Sequence, residues 1–371
     1  MNKVYLDYNA STPLAPEVAD HMYPFLTDFY GNPSAVHWAG QTVKEKMNRA
    51  REQVSDLLSC SPEEIIFTSG GSEANNFALK GYFFKHLSKG KHIITSKIEH
   101  PAIIEPLKFL ERLGAELTML DVDKYGMVSA GDIEKAIRED TILITIMHSN
   151  NEVGTLQPIE EIGEIARRHK IAFHTDASQS AGKVPVDVNE LNVDMLTIAG
   201  HKLYAPKGIG ALFIRKGTEL EPLIHGAGHE FGMRAGTENT LLAAGLGKAC
   251  ELAGKHVSDS GLADLTDYFW GKLKEAFGEE IVLNGHEEKR LPNTLNVSFM
   301  NRIGQDILSA IPQLAASTGS ACHAGKVELS PVLRELEVPE YIGMGAVRFS
   351  LGKYTTKEEL DQVVSWLKEV I

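Results

Sequence analysis

The chain has 371 residues, 43% hydrophobic and 23% charged, the make-up of a globular protein with room for about two domains. Its 50 acidic and 37 basic residues leave a formal net charge of −13. That balance argues against nucleic acid or an anionic membrane surface as the main partner, because both select clustered Lys and Arg.

The first residues, 1-MNKVYLDYNASTP-13, carry no apolar run of the signal-peptide kind, and no apolar stretch reaches the roughly 18 residues of a membrane span. We expect neither a leader nor a spanning helix. Three cysteines, Cys60, Cys250 and Cys322, do not make a disulfide framework. We read a reducing, cytoplasmic setting, in which one thiol can be a working nucleophile.

From about residue 60 to 215, short apolar strands alternate with amphipathic helices. Strands are predicted at 65–69, 92–96, 116–120, 142–147, 171–176, 195–199 and 209–214. A helix is predicted over 158–170, where Ile159, Ile162, Ile165 and Ala166 share a face. Apolar strands separated by helices imply an α/β fold with a mostly parallel sheet buried on both faces. The glycine-rich stretch 226-GAGHEFGMRAGT-237 carries charge and histidine, so it reads as a binding loop. Beyond about 255 come a helix over 261–277, strands over 294–299 and 346–352, and a closing helix over 356–371. These read as a smaller α+β domain. The expected division is 13–255 for the large domain, and 1–12 with 256–371 for the small one. No repeat, low-complexity tract or linker is evident.

In such a fold, ligands gather where strands end. The first strand runs into 69-SGGSEANN-76, small residues opening a helix, whose backbone N–H groups can hold a phosphate. Many such turns bind nothing. The segment 98-IEHPA-102 brings His100, though a lone histidine is commonly structural. The segment 148-HSNNEVG-154 brings two asparagines. The next strand ends in Asp176 and 177-ASQS-180, and an acidic residue there commonly caps a helix. The strand 195–199 ends in Gly200-His201-Lys202. Taken together, a phosphate nest, a carboxylate, a histidine and a lysine at neighbouring strand ends suit pyridoxal 5′-phosphate (PLP). Lysine forms a Schiff base with its aldehyde, and the carboxylate keeps the pyridine nitrogen protonated. Histidine can stack on the ring. His225 and His229 lie four apart in a segment too rich in glycine to be helical, and we expect no metal site there.

With those stretches in view, the chain resembles the cysteine desulfurases of the class V aminotransferases, fold-type I PLP enzymes. The likeness runs end to end, through 5-YLDYNASTP-13, 30-YGNPSAVH-37, 66-IFTSGGSEANN-76, 98-IEHPA-102, 148-HSNNEVG-154, 175-TDASQSAGK-183, 200-GHKLYAPKG-208, 228-GHEFGMRAGTEN-239, 317-STGSACHAGK-326 and 347-VRFSLGKYTT-356. The resemblance implies roles residue by residue. Lys202 would be the Schiff-base lysine and Asp176 the partner of the pyridinium nitrogen. Gln179 and Asn151 would bond the phenolic-oxygen side of the ring, and His100 would stack on it. Gly71, Ser72 and His201 would hold the phosphate, with Thr237 reaching it from a second subunit, which implies a homodimer. Arg348, with Asn32, would clamp the substrate α-carboxylate, a task suited to a bidentate guanidinium. Cys322, in a polar, glycine-containing loop, would be the thiolate that takes up sulfur as a persulfide, with His323 as a candidate helper. Cys60 and Cys250 read as structural.

One departure stands out. Many desulfurases have serine where this chain has Ala199; we expect Thr197 or backbone to compensate. Selenocysteine lyases of the same family also tend to be apolar at that position, so two substrates remain: L-cysteine, which the motif balance favours, and L-selenocysteine. Pro101 resembles the nitrogen-fixation type of desulfurase. The chain also ends soon after 347-VRFSLGKYTT-356, without the longer tail that docks an iron–sulfur scaffold. We therefore do not expect stable scaffold docking of that kind, and we expect a sulfur or selenium acceptor protein among the partners. Another class V aminotransferase is the more distant alternative, and Cys322 speaks against it.

Overall fold

The structure is a computed structural model that describes residues 3–255, 261–318, 322–323 and 326–371. The chain opens with a two-residue strand, β1 (Val4–Tyr5), whose partner comes late in the sequence. Then follow β2 (Ile65–Thr68), β3 (His92–Ser96), β4 (Glu116–Leu120), β5 (Thr141–Thr145), β6 (Ala172–Asp176), β7 (Met195–Ala199) and β8 (Gly210–Ile214). These seven form one sheet in the order β2-β8-β7-β6-β5-β3-β4. β3 pairs in parallel with both β4 and β5, and the parallel run continues through β6 and β7; β8 runs antiparallel to its neighbours β7 and β2. The fold is thus α/β of fold-type I, with helices on both faces.

Alternation along the strands explains that layering. Ile65, Phe67, Ile144, Phe173, Ile198 and Phe213 enter one apolar core, while Ile66, Ile93, Leu143, Met195 and Leu212 enter the other. A strand buried on both sides reads in sequence as a continuous apolar run. The 142–147 expectation ran past β5, and the difference has a physical cause. The backbone N–H of Met147 donates to both oxygens of the buried Glu99 carboxylate, at 2.9 and 3.1 Å, and so leaves the ladder. The helix expected over 158–170 spans Ile159–His169 and ends at Lys170, which is left-handed with φ 57°.

The second sheet is antiparallel, with β9 (Ile281–Asn284), β10 (Thr294–Phe299) and β14 (Ala346–Ser350) in the order β14-β10-β9. Between them fall β11 (Leu314–Ala315), β12 (Cys322–His323) and β13 (Lys326–Val327). Helices Leu262–Phe277 and Lys357–Val370 cover this sheet, burying Phe269, Leu273, Val297, Phe349, Val363 and Leu367. Val4 and Leu6 join the same core. β1 pairs in parallel with β11, and Asp7 bridges to Ser350. The strand expected over 346–352 ends at Ser350: the N–H of Leu351 still meets the Asn293 carbonyl in register at 2.8 Å, but the Leu351 carbonyl is taken by the side-chain Nδ2 of Asn293 at 2.9 Å and the N–H of Gly352 turns to Thr355 Oγ1 at 3.1 Å. Within the expected loop 317–326, β12 and β13 pair antiparallel, Cys322 opposite Val327 and His323 opposite Lys326. The side chains of Cys322 and His323 lie outside the described residues.

Candidate active site

The C-terminal ends of β2, β3, β5, β6 and β7 open on one cavity of about 440 Å³, lined by Gly71, His100, Asn151, Asp176, Lys202 and Arg348 among others. Ser72, Gln179 and His201 also line it. Nine of the twelve residues singled out from sequence therefore meet at one place. A larger hollow of about 620 Å³ lies at the opposite ends of β6 and β7, lined by His86, Lys89, Arg167, Lys170, Asp194 and Arg215. Among the described residues, none of the twelve lines it.

Asp176 is the last residue of β6 and is buried. Its Oδ2 accepts from Asn75 Nδ2 at 2.7 Å and its Oδ1 from the N–H of Ser178 at 2.9 Å. Both oxygens are thus held in fixed directions. Asn75 sits one turn into the helix that Gly71 opens, so the nest and the carboxylate are built as one unit. A Cβ placed on Gly71 would come within 3.2 Å of both Ala199 Cβ and Ser178 Oγ. Any larger residue there would crowd the floor of the cavity.

Lys202 lies in the turn Gly200–Lys202 that follows β7. Its Nζ donates to the main-chain carbonyls of Asn9 and Ala10, the latter at 2.8 Å. Burial pushes its pKa down to about 8; Arg348 adds to the fall, while Asp7 and Asp176 oppose it. His201 beside it is pushed down to about 4, by burial first and then by Lys202. His100 caps the helix Pro101–Glu111: its Nδ1 accepts from the N–H of Ala102 at 3.0 Å. That bond makes Nδ1 the acceptor, so the neutral ring carries its hydrogen on Nε2. Desolvation lowers the His100 pKa, with Lys202 assisting and Asp176 opposing.

Arg348, in the middle of β14, reaches the cavity from the smaller sheet. Its Nη2 donates to Asp7 Oδ1 at 2.7 Å and its Nη1 to the Asn151 carbonyl at 3.0 Å. Its buried Nε has no partner among the described residues. Asp7 also accepts from Ser317 Oγ at 2.9 Å.

Two of the remaining three lie elsewhere in the single chain. Thr237 lines a separate cavity of about 200 Å³ beside Thr68, Ser69 and Arg234. Asn32 is exposed, its Oδ1 accepting from the N–H of Ser34. The Cys322 thiol lies outside the described side chains. The other cysteines fit their structural reading: burial pushes both Cys60 and Cys250 up to about 12, which keeps each thiol protonated. The Thr197 hydroxyl bonds His174 Nε2 at 3.2 Å. The residue nearer to Gly71 is Ser178. Sequence reasoning also passed over Asp7, Asn9, Asn75, Ser178 and Lys183. Each stands inside a quoted motif, but its role depends on partners distant in sequence or on a backbone atom.

The class-V aminotransferase family matches residues 4–363. The chain is 48% identical over 373 residues to cysteine desulfurase IscS of Dictyoglomus turgidum, covering 100% of this chain and 94% of that protein. It is 46% identical to cysteine desulfurase IscS of Methanosarcina thermophila, covering 99% and 92%. Among solved structures, a NifS-like protein superposes with a TM-score of 0.93 at 36% identity over 99% of each chain. SspA in complex with cysteine superposes with a TM-score of 0.84 at 40% identity over 96% of this chain and 100% of that one. Agreement in sequence and fold over nearly the whole length places this chain in the class-V aminotransferase family, among its cysteine desulfurases.

Proposed function

We propose that this protein takes sulfur from L-cysteine and leaves L-alanine, with PLP held in the cavity at the strand ends. The observation that carries this reading is the convergence of Lys202, Asp176, His100, Gln179 and Arg348 on that cavity. The residues present fit the group. Asp176 offers a buried, oriented carboxylate to a ring nitrogen. Gly71 keeps open the floor of a nest whose first-turn N–H groups lack intrahelical partners, with Ser72 and His201 on its wall. Lys202 is an amine whose depressed pKa leaves about half of it free near pH 8. Bound there, PLP supplies an electron sink for the substrate α-carbon.

The chain's own residues do the rest. Free Lys202 is placed to take the α-proton and to return one to carbon. His100 presents Nε2–H to the cavity. Arg348, braced by Asp7 and the Asn151 carbonyl, offers its remaining N–H groups to the substrate carboxylate. By motif, Cys322 as thiolate attacks the substrate sulfur. An S–S bond forms as the C–S bond breaks, and the bonding pair stays on carbon, which is protonated on the way to alanine. Cys322 is left as a persulfide, and an acceptor takes that sulfur away.

We take 13–255 as the PLP-binding domain, and 1–12 with 256–371 as the small one. In support, one apolar core draws on Ala15 to Cys250 and another on Val4, Leu6 and Phe269 to Leu367. A homodimer is supported by Thr237 standing outside its own chain's cavity and by the exposed Tyr23, Leu26, Tyr30, Val36 and Trp38. Among the described residues no helix is long and apolar enough to cross a membrane; a cytoplasmic setting remains the reading from cysteine usage.

The test is alanine release by the PLP-loaded protein from cysteine and from selenocysteine, side by side. We expect release from cysteine, lost in Cys322→Ala. No alanine from cysteine would overturn the proposal, and release from selenocysteine alone would make the protein a selenocysteine lyase.

A further inference from the structure

We propose that Lys183 is a positioning residue of this site, fixing the amide orientations of Gln179 and Asn9 so that Gln179 presents only N–H to a bound ligand. Residues 177–184 form two helix-like turns, and i,i+4 spacing sets Lys183 over Gln179. Lys183 Nζ donates to Gln179 Oε1 at 3.0 Å and to Asn9 Oδ1 at 3.1 Å. A side-chain amide is nearly symmetric in shape, and its orientation follows from its partners. An ammonium can only donate, so both amide oxygens must face it.

The opposite sides of both amides agree. Gln179 Nε2 donates to the Asn9 carbonyl at 2.9 Å, and its second N–H remains for the cavity that Gln179 lines. Asn9 Nδ2 donates to Thr294 Oγ1 at 2.9 Å and to the Asn151 carbonyl at 3.3 Å. Asn293 Nδ2 donates to Asn9 Oδ1 at 3.2 Å. The same Asn9 carbonyl accepts from Lys202 Nζ. Lys183 therefore stands behind the residue that holds the catalytic amine. Burial, with Lys202 and Arg348 nearby, pushes the Lys183 pKa down to about 7. With two hydrogens or three, the nitrogen still supplies both bonds.

The inference rests on the PLP reading above, and a double-mutant cycle separates the two. Wild type, Lys183→Met, Gln179→Leu and the double variant are loaded with PLP. The visible absorption band and the PLP dissociation constant are then measured, with thermal melting of each apo-protein alongside. We expect Lys183→Met to shift the band and to weaken PLP binding about tenfold, the scale of one buried hydrogen bond lost. The double variant should fall within about twofold of Gln179→Leu, because residues that act through one another are not additive. If Lys183→Met does not fold as apo-protein, Lys183→Gln takes its place in the cycle. An unshifted band, or effects that multiply, would overturn the role of Lys183 alone. A wild type that takes up no PLP would overturn the functional reading as well.

Discussion

Lys202 shows how placement makes a reactive group. An ordinary lysine near neutral pH is an ammonium; burial and Arg348 bring this one down to about 8. Two outcomes follow at this scale. Lys202→Ala should lower alanine release at least about a hundredfold, the scale of losing a positioned acid–base group, and should abolish the visible band of the PLP-loaded protein. In the apo-protein, Lys202→Met should raise the melting temperature at pH 7. Below about pH 8 both folded and unfolded Lys202 hold the proton, so the folded state bears the full cost of a buried cation. Between about 8 and 10.5 the folded state releases its proton first and the cost fades. The gain from Lys202→Met should therefore shrink as the pH rises through that range, which melting curves at several pH values would show. Asp7→Asn should raise KM for cysteine about tenfold, with less change in kcat, because a charge-assisted bond bracing Arg348 is lost. Steady-state kinetics reads that split.

At the level of elements, the closing helix carries a full capping box. Thr356 Oγ1 accepts from the N–H of Glu359 at 3.2 Å, and Glu359 returns a bond to the Thr356 N–H at 3.0 Å. Thr356→Ala should cost about 1 kcal/mol in urea unfolding. Phe349→Ala should cost about 3–5 kcal/mol, because the ring is wholly buried edge-on against Phe269 with centroids 5.3 Å apart. Elements of this kind were legible in the sequence. β3, β4, β7 and β10 match the expected spans at both ends, since an apolar run bounded by turn residues is a local signal. The ends misjudged by two residues lie past Thr145 and past Ser350, where the N–H of Met147 is claimed by Glu99 and the carbonyl of Leu351 by the Asn293 side chain, each from another part of the chain. The site divides in the same way. Lys202, Asp176 and His100 stand in motifs that resemblance can carry. Asn75 and Lys183 act on atoms that their immediate neighbours do not reveal.

Over the whole molecule, the first ten residues tie the smaller sheet to the larger one: they add Val4 and Leu6 to the core under the smaller sheet and then cross to the mouth of the larger sheet. The proposed homodimer predicts elution at twice the mass of one chain in size-exclusion chromatography. Trp38→Glu, at a side chain 73% exposed, should shift it towards the single chain, with loss of PLP affinity if Thr237 serves the partner. The crossing segment meets Lys202 through the carbonyls of Asn9 and Ala10. Carbonyls are common to every residue type, so side-chain substitution at Asn9 or Ala10 would leave these acceptors in place and would under-report this contact. Amide-to-ester exchange keeps the side chains and weakens the carbonyl as an acceptor. Introduced by protein semisynthesis, it would register directly on the titration of the catalytic amine.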